Sequence, residues 1–465
     1  MSWGGRCASL AFMLDPRTLA ERRDEVAESC RRRRMRVDLD AAIGAYEQVA
    51  KLRGALDETN RLRNEHQKSA AKPSSHQGGK MEPAEREAHT AEGRRLKDGV
   101  AAREVELAAA ELALRSAMAG IPNFVHPDVP EGGEDDSREL RRFGEPTRFD
   151  FRPLDHLQLC ERHDLVDFES GTRVAGAKFY YLKNEAVLLD LALQRLAIEM
   201  LRADGFELYV TPDLAKAEIV EHLGFNPRGE ETQIYSVADS DLCLVGTAEI
   251  TLGGLFQGAV LAEADLPRKL AGISHCFRTE AGSYGRESKG LYRVHQFTKV
   301  EMFAVTRPED SAAMHEHLLG LEERYFQALE VPYRVLDIAA GDLGAPAYRK
   351  FDIEAWMVGR GESGGWGEVT SASNCTDYQA RRLAARFRRG GAKPSGSITA
   401  KPSGSKTAKP SGSKGGKNEF VHMLNGTAVA VSRALVALLE NHQRADGSIA
   451  IPKALQSYCG FDRIG

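Results

Sequence analysis

The 465-residue sequence predicts an α+β protein in which a helical hairpin precedes a larger domain of mixed strands and helices. Two heptad-patterned stretches flank a short polar loop near the N-terminus. A stretch rich in Pro, Gly and Asp follows, and from about residue 150 apolar strand-like runs alternate with helical ones to the last residue. The length admits about two to three domains.

Residues 1–12 read as an extension, because Met13-Leu14-Asp15 has the look of a domain start. From there to about residue 40 the chain is charged and helix-compatible, with a basic run at Arg31 to Arg34. Ala45, Val49, Leu52, Leu56 and Thr59 then fall at alternating spacings of four and three. Leu96, Val100, Leu107, Ala110, Leu114, Ala117 and Ile121 keep that rhythm, with Arg103 in the one polar slot. This is a heptad seam. Between the two stretches lies Lys72-Pro73-Ser74-Ser75-His76-Gln77-Gly78-Gly79-Lys80, rich in turn formers. The pattern predicts an antiparallel coiled-coil hairpin over 13–120. Such a hairpin serves either packing or dimerisation, or it is an arm that reaches a long partner. Arg53, Arg61, Arg63, Lys68, Lys72, Arg94, Arg95 and Lys97 give it positive charge of the kind phosphate backbones attract.

Residues 121–150 read as a linker and 151–465 as one domain. Its strand candidates are 178–183, 207–211, 272–278, 296–305 and 368–373. Three tandem eight-residue units, AKPSGSIT, AKPSGSKT and AKPSGSKG, occupy 392–415. The insert they form, over 390–417, is expected to be a disordered loop expansion, since Lys, Pro, Ser and Gly bury nothing.

Bulk properties exclude several classes. The net charge is −4, from 63 basic and 67 acidic residues, so any nucleic-acid surface is local. The seven cysteines form no CxxC pair, which argues against a cysteine zinc site and for free thiols in a reducing compartment. No stretch approaches the roughly 18 uncharged apolar residues of a membrane span. The expectation is a cytoplasmic protein with no membrane association. An organelle is the alternative, because residues 1–12 carry Arg6 and no acid.

Three segments carry chemistry. In Gly205-Phe206-Glu207-Leu208-Tyr209-Val210-Thr211-Pro212 a helix gives way to a short strand. His275-Cys276-Phe277-Arg278-Thr279-Glu280 ends another strand, and Val294 to Phe303 returns after a loop holding Ser283, Arg286, Lys289 and Arg293. On a strand, Arg278 and Glu280 would share a face. With the basic loop folded over them they would make a nucleotide clamp, Phe297 offering a flat face to a purine; a buried ion-pair network would use the same residues. In the third segment, Leu424-Asn425-Gly426-Thr427-Ala428-Val429-Ala430-Val431-Ser432-Arg433, small residues lead into a helix and would let backbone approach a ligand, with Arg433 beside a phosphate.

In this order the three segments resemble signature motifs 1, 2 and 3 of class II aminoacyl-tRNA synthetases, and from Met13 to Gly465 the chain resembles the seryl-tRNA synthetases. Thr247-Ala248-Glu249 matches that family's TxE triplet, and Phe351 to Trp356 and Glu368 to Cys375 match further blocks. The resemblance implies a class II fold, an antiparallel β-sheet catalytic domain flanked by helices and preceded by a coiled-coil tRNA-binding arm, working as a homodimer. It implies ATP and Mg²⁺, L-serine, tRNA(Ser) and by extension tRNA(Sec). Arg278, Glu280 and Arg433 would be catalytic. Arg278 would hold the α-phosphate and the serine carboxylate, Glu280 the adenine amino group, and Phe297 and Arg433 the two adenine faces, Arg433 also reaching the γ-phosphate. Thr279, Val294, Val369 and Thr370 would complete the ATP site, and Glu368 and Ser371 would hold Mg²⁺. Thr247, Ala248, Glu249, Glu301, Asn425 and Thr427 would line the serine pocket beside Arg278.

The competing expectation is a seryl-adenylate-forming relative that loads a carrier protein or serves specialised metabolism; the long arm weighs against it. A fold that has lost activity would have broken ligands, whereas Arg278, Glu280 and Arg433 are all present. Two departures fall in one loop: Val358 stands where the family often has Pro, and Glu362-Ser363-Gly364-Gly365 is longer than usual.

Overall fold

The computed structural model describes residues 14–70, 82–226, 232–281, 290–390 and 417–465. The extension at 1–12, the hairpin loop at 72–80, the loop residues Ser283, Arg286 and Lys289 and the tandem repeats lie outside the described residues. The chain divides into two compact units, 1–31 with 35–122, and 32–34 with 123–465.

The first unit is dominated by helices α1 (Leu39–Ala70) and α2 (Pro83–Ala119). Asp38 starts α1 by accepting the Ala41 amide at 2.9 Å, and Pro83 stands in the first turn of α2. The helices run antiparallel: Arg53 pairs with Glu111 at 2.7 Å, Gly99 faces Thr59, and the His66 and His89 rings stack at 3.8 Å. Val49, Leu96, Val100, Leu107 and Leu114 are buried between them, as the heptads predict. At 1.5 Å per residue α1 is about 48 Å long. A hairpin of that reach owes its stability to this seam, because single helices are marginal in water.

The second unit is built on an eight-stranded sheet: β1 (Arg138–Phe143), β2 (Glu207–Val210), β3 (Arg268–Phe277), β4 (Gln296–Thr306), β5 (Tyr333–Asp337), β6 (Arg349–Met357), β7 (Gly365–Asn374) and β8 (His422–Ala430). Its order is β1-β5-β6-β7-β8-β4-β3-β2. Every pairing is antiparallel except β2 with β3. Helices α3 (Glu185–Ala203), α4 (Ala248–Gly254), α5 (Ser311–Ala328) and α6 (Val431–Asn441) accompany it; α3, α5 and α6 join the sheet in one core cluster and α4 in a second.

Three expectations change here. The stretch read as a linker contains β1, whose sequence RELRRF shows no apolar alternation because the strand is exposed along its length. Charge on an edge strand discourages pairing with other chains. The small residues read as a lead-in to a helix form β8 instead, paired on both sides, and the helix begins only at Val431. The 178–183 candidate shrinks to Tyr181–Leu182 in a two-stranded sheet.

β7 and β8 are both irregular where they approach the site. In β7 the pairing with β6 slips at Val369, so Glu354 opposes Glu368 while Ile353 opposes Thr370. In β8 the pairing with β4 slips at Ala428. A bulge adds one residue and re-aims the side chains after it.

Candidate active site

A cleft of about 470 Å³ opens where the end of β3, the start of β4, β7 and the β8–α6 junction meet. Arg278, Glu280, Tyr292, Arg293, Val294, Phe297, Lys299, Glu368 and Arg433 are among its walls. The Arg278 guanidinium lies 5.3 Å from the centre of the Phe297 ring, and its Nε donates to the Gly246 carbonyl at 3.4 Å. β3 ends at Phe277, so Arg278 and Glu280 do not share a strand face as expected. They converge because Glu280 adopts a left-handed φ of +54°, a conformation that costs a bulky residue about 1–3 kcal/mol. Its carboxylate meets Arg293 Nη1 at 2.7 Å.

Across the cleft, Arg433 Nη1 donates to the Glu368 carbonyl at 3.0 Å and lies 3.3 Å from the Glu368 carboxylate. Its guanidinium sits 4.8 Å from the Tyr292 ring, whose centre is 5.0 Å from Arg360. Burial would raise the Glu368 carboxyl, but Arg433, Lys350 and Arg278 outweigh it and hold it at about 2. The bulge at Val369 turns Glu368 to the same side as Ser371, which in a regular strand would face away.

Beside this cationic cleft lies an acidic pocket. Thr247 caps α4 by accepting the Glu249 amide at 3.2 Å. The buried Glu249 carboxylate accepts from Gln379 Nε2 at 2.6 Å and from Asn425 Nδ2 at 2.9 Å. Glu301, 1% exposed, pairs with Lys299, which also lines the cleft and so joins the two halves of the site. Burial first, and then repulsion from Glu301, push Glu249 up to about 7; burial also raises Glu301, against the pull of Lys299. α4 can sit this close because Gly272 on β3 leaves room: a Cβ there would come within 2.9 Å of Ala248.

Of the residues expected in the ATP site, Arg278, Glu280, Val294, Phe297, Glu368, Val369, Thr370 and Arg433 border the cleft, as does Thr427 from the serine set. Four differ in detail. Thr279 turns away, its hydroxyl donating to the Thr232 carbonyl at 2.5 Å. The Thr370 hydroxyl is committed to Glu322 at 3.0 Å on the α5 side of the sheet. Ala248 is fully buried against β3 and presents nothing to a ligand. Phe297, expected to offer its ring to adenine, carries the Arg278 guanidinium, while Arg433 lies over Tyr292.

Sequence reading missed Gln379, Tyr292 and Lys299. Lys299 was within reach, since it stands two residues before Glu301 on one strand and therefore on the same face. Gln379 was not, because it arrives from a helix with no local signal. Among the described residues, no group of three or more His, Cys, Asp or Glu is placed to hold a metal ion.

The family model for the tRNA synthetase class II core domain (G, H, P, S and T) matches residues 234–396, and that for the seryl-tRNA synthetase N-terminal domain matches residues 13–125. A serine–tRNA ligase of Treponema denticola is 48% identical over 454 residues, covering 97% of this chain and 100% of the relative. The chain belongs to the seryl-tRNA synthetase family. A serine–tRNA ligase of Rhodopirellula baltica is 51% identical, with 97% and 99% of the two chains covered. The crystal structure of the seryl-tRNA synthetase of Pyrococcus horikoshii complexed with ATP superposes with a TM-score of 0.79 at 36% identity, covering 97% of this chain and 99% of that one. As a seryl-tRNA synthetase family member the chain is an aminoacyl-tRNA ligase with ATP as substrate. Both halves of the fold expected from the sequence, the antiparallel sheet domain and the helical arm, are those of the family.

Proposed function

We propose that the cleft activates L-serine with ATP and that the seryl group then passes to the 3′ end of tRNA(Ser), with tRNA(Sec) as a second acceptor. The observation that carries the reading is the junction of a two-arginine cleft with a buried two-carboxylate pocket through Lys299.

Arg278 holds the α-phosphate and the serine carboxylate together, so that a carboxylate oxygen attacks α-phosphorus as the bond to pyrophosphate breaks. The adenine stacks on Phe297 under Arg433, which also reaches the γ-phosphate, and its amino group donates to Glu280, displacing Arg293. These groups act by placing charge and reactants rather than by covalent participation. Glu368, kept ionised, and Ser371 on the same side are hard oxygen donors that would hold Mg²⁺, which would supply positive charge against the nucleotide phosphates. In the second step the terminal adenosine 3′-OH attacks the seryl carbonyl and AMP leaves.

Glu249 and Glu301 take the substrate ammonium and hydroxyl, with Thr247, Asn425 and Thr427 around them. An alanine would leave a buried acceptor unpaired, a penalty of roughly 10⁴ in rate for sites of this kind. Threonine is excluded by size.

The value of about 7 at Glu249 sets a pH dependence. A carboxyl raised on folding binds its proton more tightly in the native state, so stability is lost as pH rises from the unfolded value toward 7, by about 3 kcal/mol in all. Serine has the opposite effect, because its ammonium favours the ionised carboxylate. Serine binding should therefore release a proton below pH 7, and KM for serine should rise as pH falls. Calorimetry of serine binding in two buffers of different ionisation enthalpy reads the proton directly; no difference between them would remove Glu249 from the pocket.

The arm is proposed to grip tRNA. Arg53, Arg61 and Arg95 pair there with Glu111, Glu58 and Glu92 in exposed ion pairs, which are worth about 0–1 kcal/mol and yield readily to phosphate. A homodimer is supported by Val210, Leu208, Leu191 and Leu188, exposed on β2 and α3. No helix among the described residues is long and apolar enough to cross a membrane. Among the described residues the six cysteines are buried and form no disulfide, which suits the cytoplasm. Charging assays with transcripts of both tRNAs test the acceptors. Serine transfer to each supports the reading, and adenylate formation without transfer to either overturns it.

A further inference from the structure

Helix α5 covers the face of the sheet opposite the cleft, and it carries an acid where packing alone would call for an apolar residue. Glu322 is 0% exposed. Its Oε2 accepts from the Thr370 hydroxyl at 3.0 Å. Its Oε1 lies against Gly426, where a Cβ would come within 3.0 Å of it. The Thr427 backbone is near enough to favour the ionised form, yet Oε1 has no well-formed hydrogen bond among the described residues. Among those residues it also makes no ion pair, and burial raises its carboxyl well above the ordinary range. Burying such a group costs stability, and an apolar side chain of similar size would avoid that cost.

What the acid touches explains its presence. Thr370 and Glu368 are two residues apart and would share a face in a regular strand. Here Thr370 is held by Glu322 on the helix side, while Glu368 is held 3.3 Å from Arg433 on the cleft side. Those two anchors on opposite faces pin the extra residue at Val369 between them. Relaxing the bulge toward regular pairing would turn Glu368 away from the cleft or Thr370 away from the helix, because a one-residue shift reverses every side chain beyond it. The same carboxyl packs on Gly426, directly before Thr427 and two residues before the slip at Ala428 in β8. Seven residues earlier on α5, His315 Nε2 meets the Ala372 carbonyl at 2.9 Å and ties the helix to β7 a second time.

We propose that Glu322 is a positioning residue for adenylate formation, locking the bulges of β7 and β8 in the phase that turns Glu368, Ser371 and Thr427 toward the cleft. The inference rests on the site reading above. Glu322 never touches substrate, and it acts through Thr370 and the strand backbones.

The test compares Glu322→Gln, Glu322→Leu and Thr370→Val by serine-dependent ATP–pyrophosphate exchange and by melting temperature. Gln keeps the hydrogen bond to Thr370 and should keep exchange close to that of the unaltered protein. Leu should lower kcat by up to about 100-fold, the scale of a misplacement of roughly 1 Å, a loss out of proportion to any fall in melting temperature. Thr370→Val should lower kcat in the same way, and combining it with Glu322→Leu should add little, because the two remove one interaction. KM for tRNA should stay constant throughout. Full kcat in Leu or in Val overturns the proposal, and so does a loss in both that merely follows a fall in melting temperature. Should Leu fail to fold, Gln and Val decide by the same criteria. Absence of serine-dependent exchange in the unaltered protein overturns the site reading itself, and this inference with it.

Discussion

Arg278→Ala should lower serine-dependent ATP–pyrophosphate exchange by about 100- to 1,000-fold, the range for losing one donor aimed at developing charge in a closed site. The expectation follows from where Arg278 stands. It leaves the end of β3, lies 5.3 Å over Phe297 and is tethered to the Gly246 carbonyl, one residue from Thr247 in the acidic pocket. It borders the cleft together with Lys299 and Arg433, and its planar fork is suited to two oxygens at once. Its charge also helps hold Glu368 at about 2 and pulls Glu249 and Glu301 down, so its removal disturbs both halves of the site. Arg278→Lys should recover little, because an ammonium lacks the planar fork that spans two oxygens. Exchange rates at saturating and limiting serine, measured on both variants, check this. A fall in kcat/KM below about tenfold for Ala would mean the guanidinium serves only as packing for Phe297.

Excising residues 45–117 and closing the gap with a short turn should leave exchange nearly intact and abolish charging of tRNA. The hairpin over α1 and α2 is a compact unit of its own, and the cleft is built wholly within the other unit. The basic residues expected to meet tRNA phosphates, Arg53, Arg61, Arg63, Lys68, Arg94, Arg95 and Lys97 among them, lie within the excised segment. Charging should therefore fail through tRNA affinity, and a steep salt dependence in the full chain should vanish with the arm. Retained charging in the deletion would contradict the role given to the arm.

The parts of the protein legible in the sequence were those written in periodicity or in contiguous segments. The heptads of Val49 and of Leu96 to Leu114 announced the hairpin, because a two-helix seam is one-dimensional. Arg278, Glu280, Phe297, Glu368 and Arg433 were found through their segments, and they do meet in one cleft. The bulges at Val369 and Ala428 were invisible, since a slip in register is a property of a strand pair and leaves no mark in the pattern of either strand alone. β1 was missed because an exposed edge strand of charged residues has no apolar pattern to read. Gln379 and Glu322 went unseen for a related reason: each arrives from a helix, and its importance lies in the strand or pocket it happens to touch.

The most direct measurement is ATP–pyrophosphate exchange with the purified chain across the amino acids. The account requires exchange with serine, little with threonine, and with alanine a rate lower by roughly 10⁴, since alanine leaves the buried acceptor of Glu249 or Glu301 without its hydroxyl. Exchange driven as well by alanine as by serine, or by another amino acid in preference to serine, would contradict it.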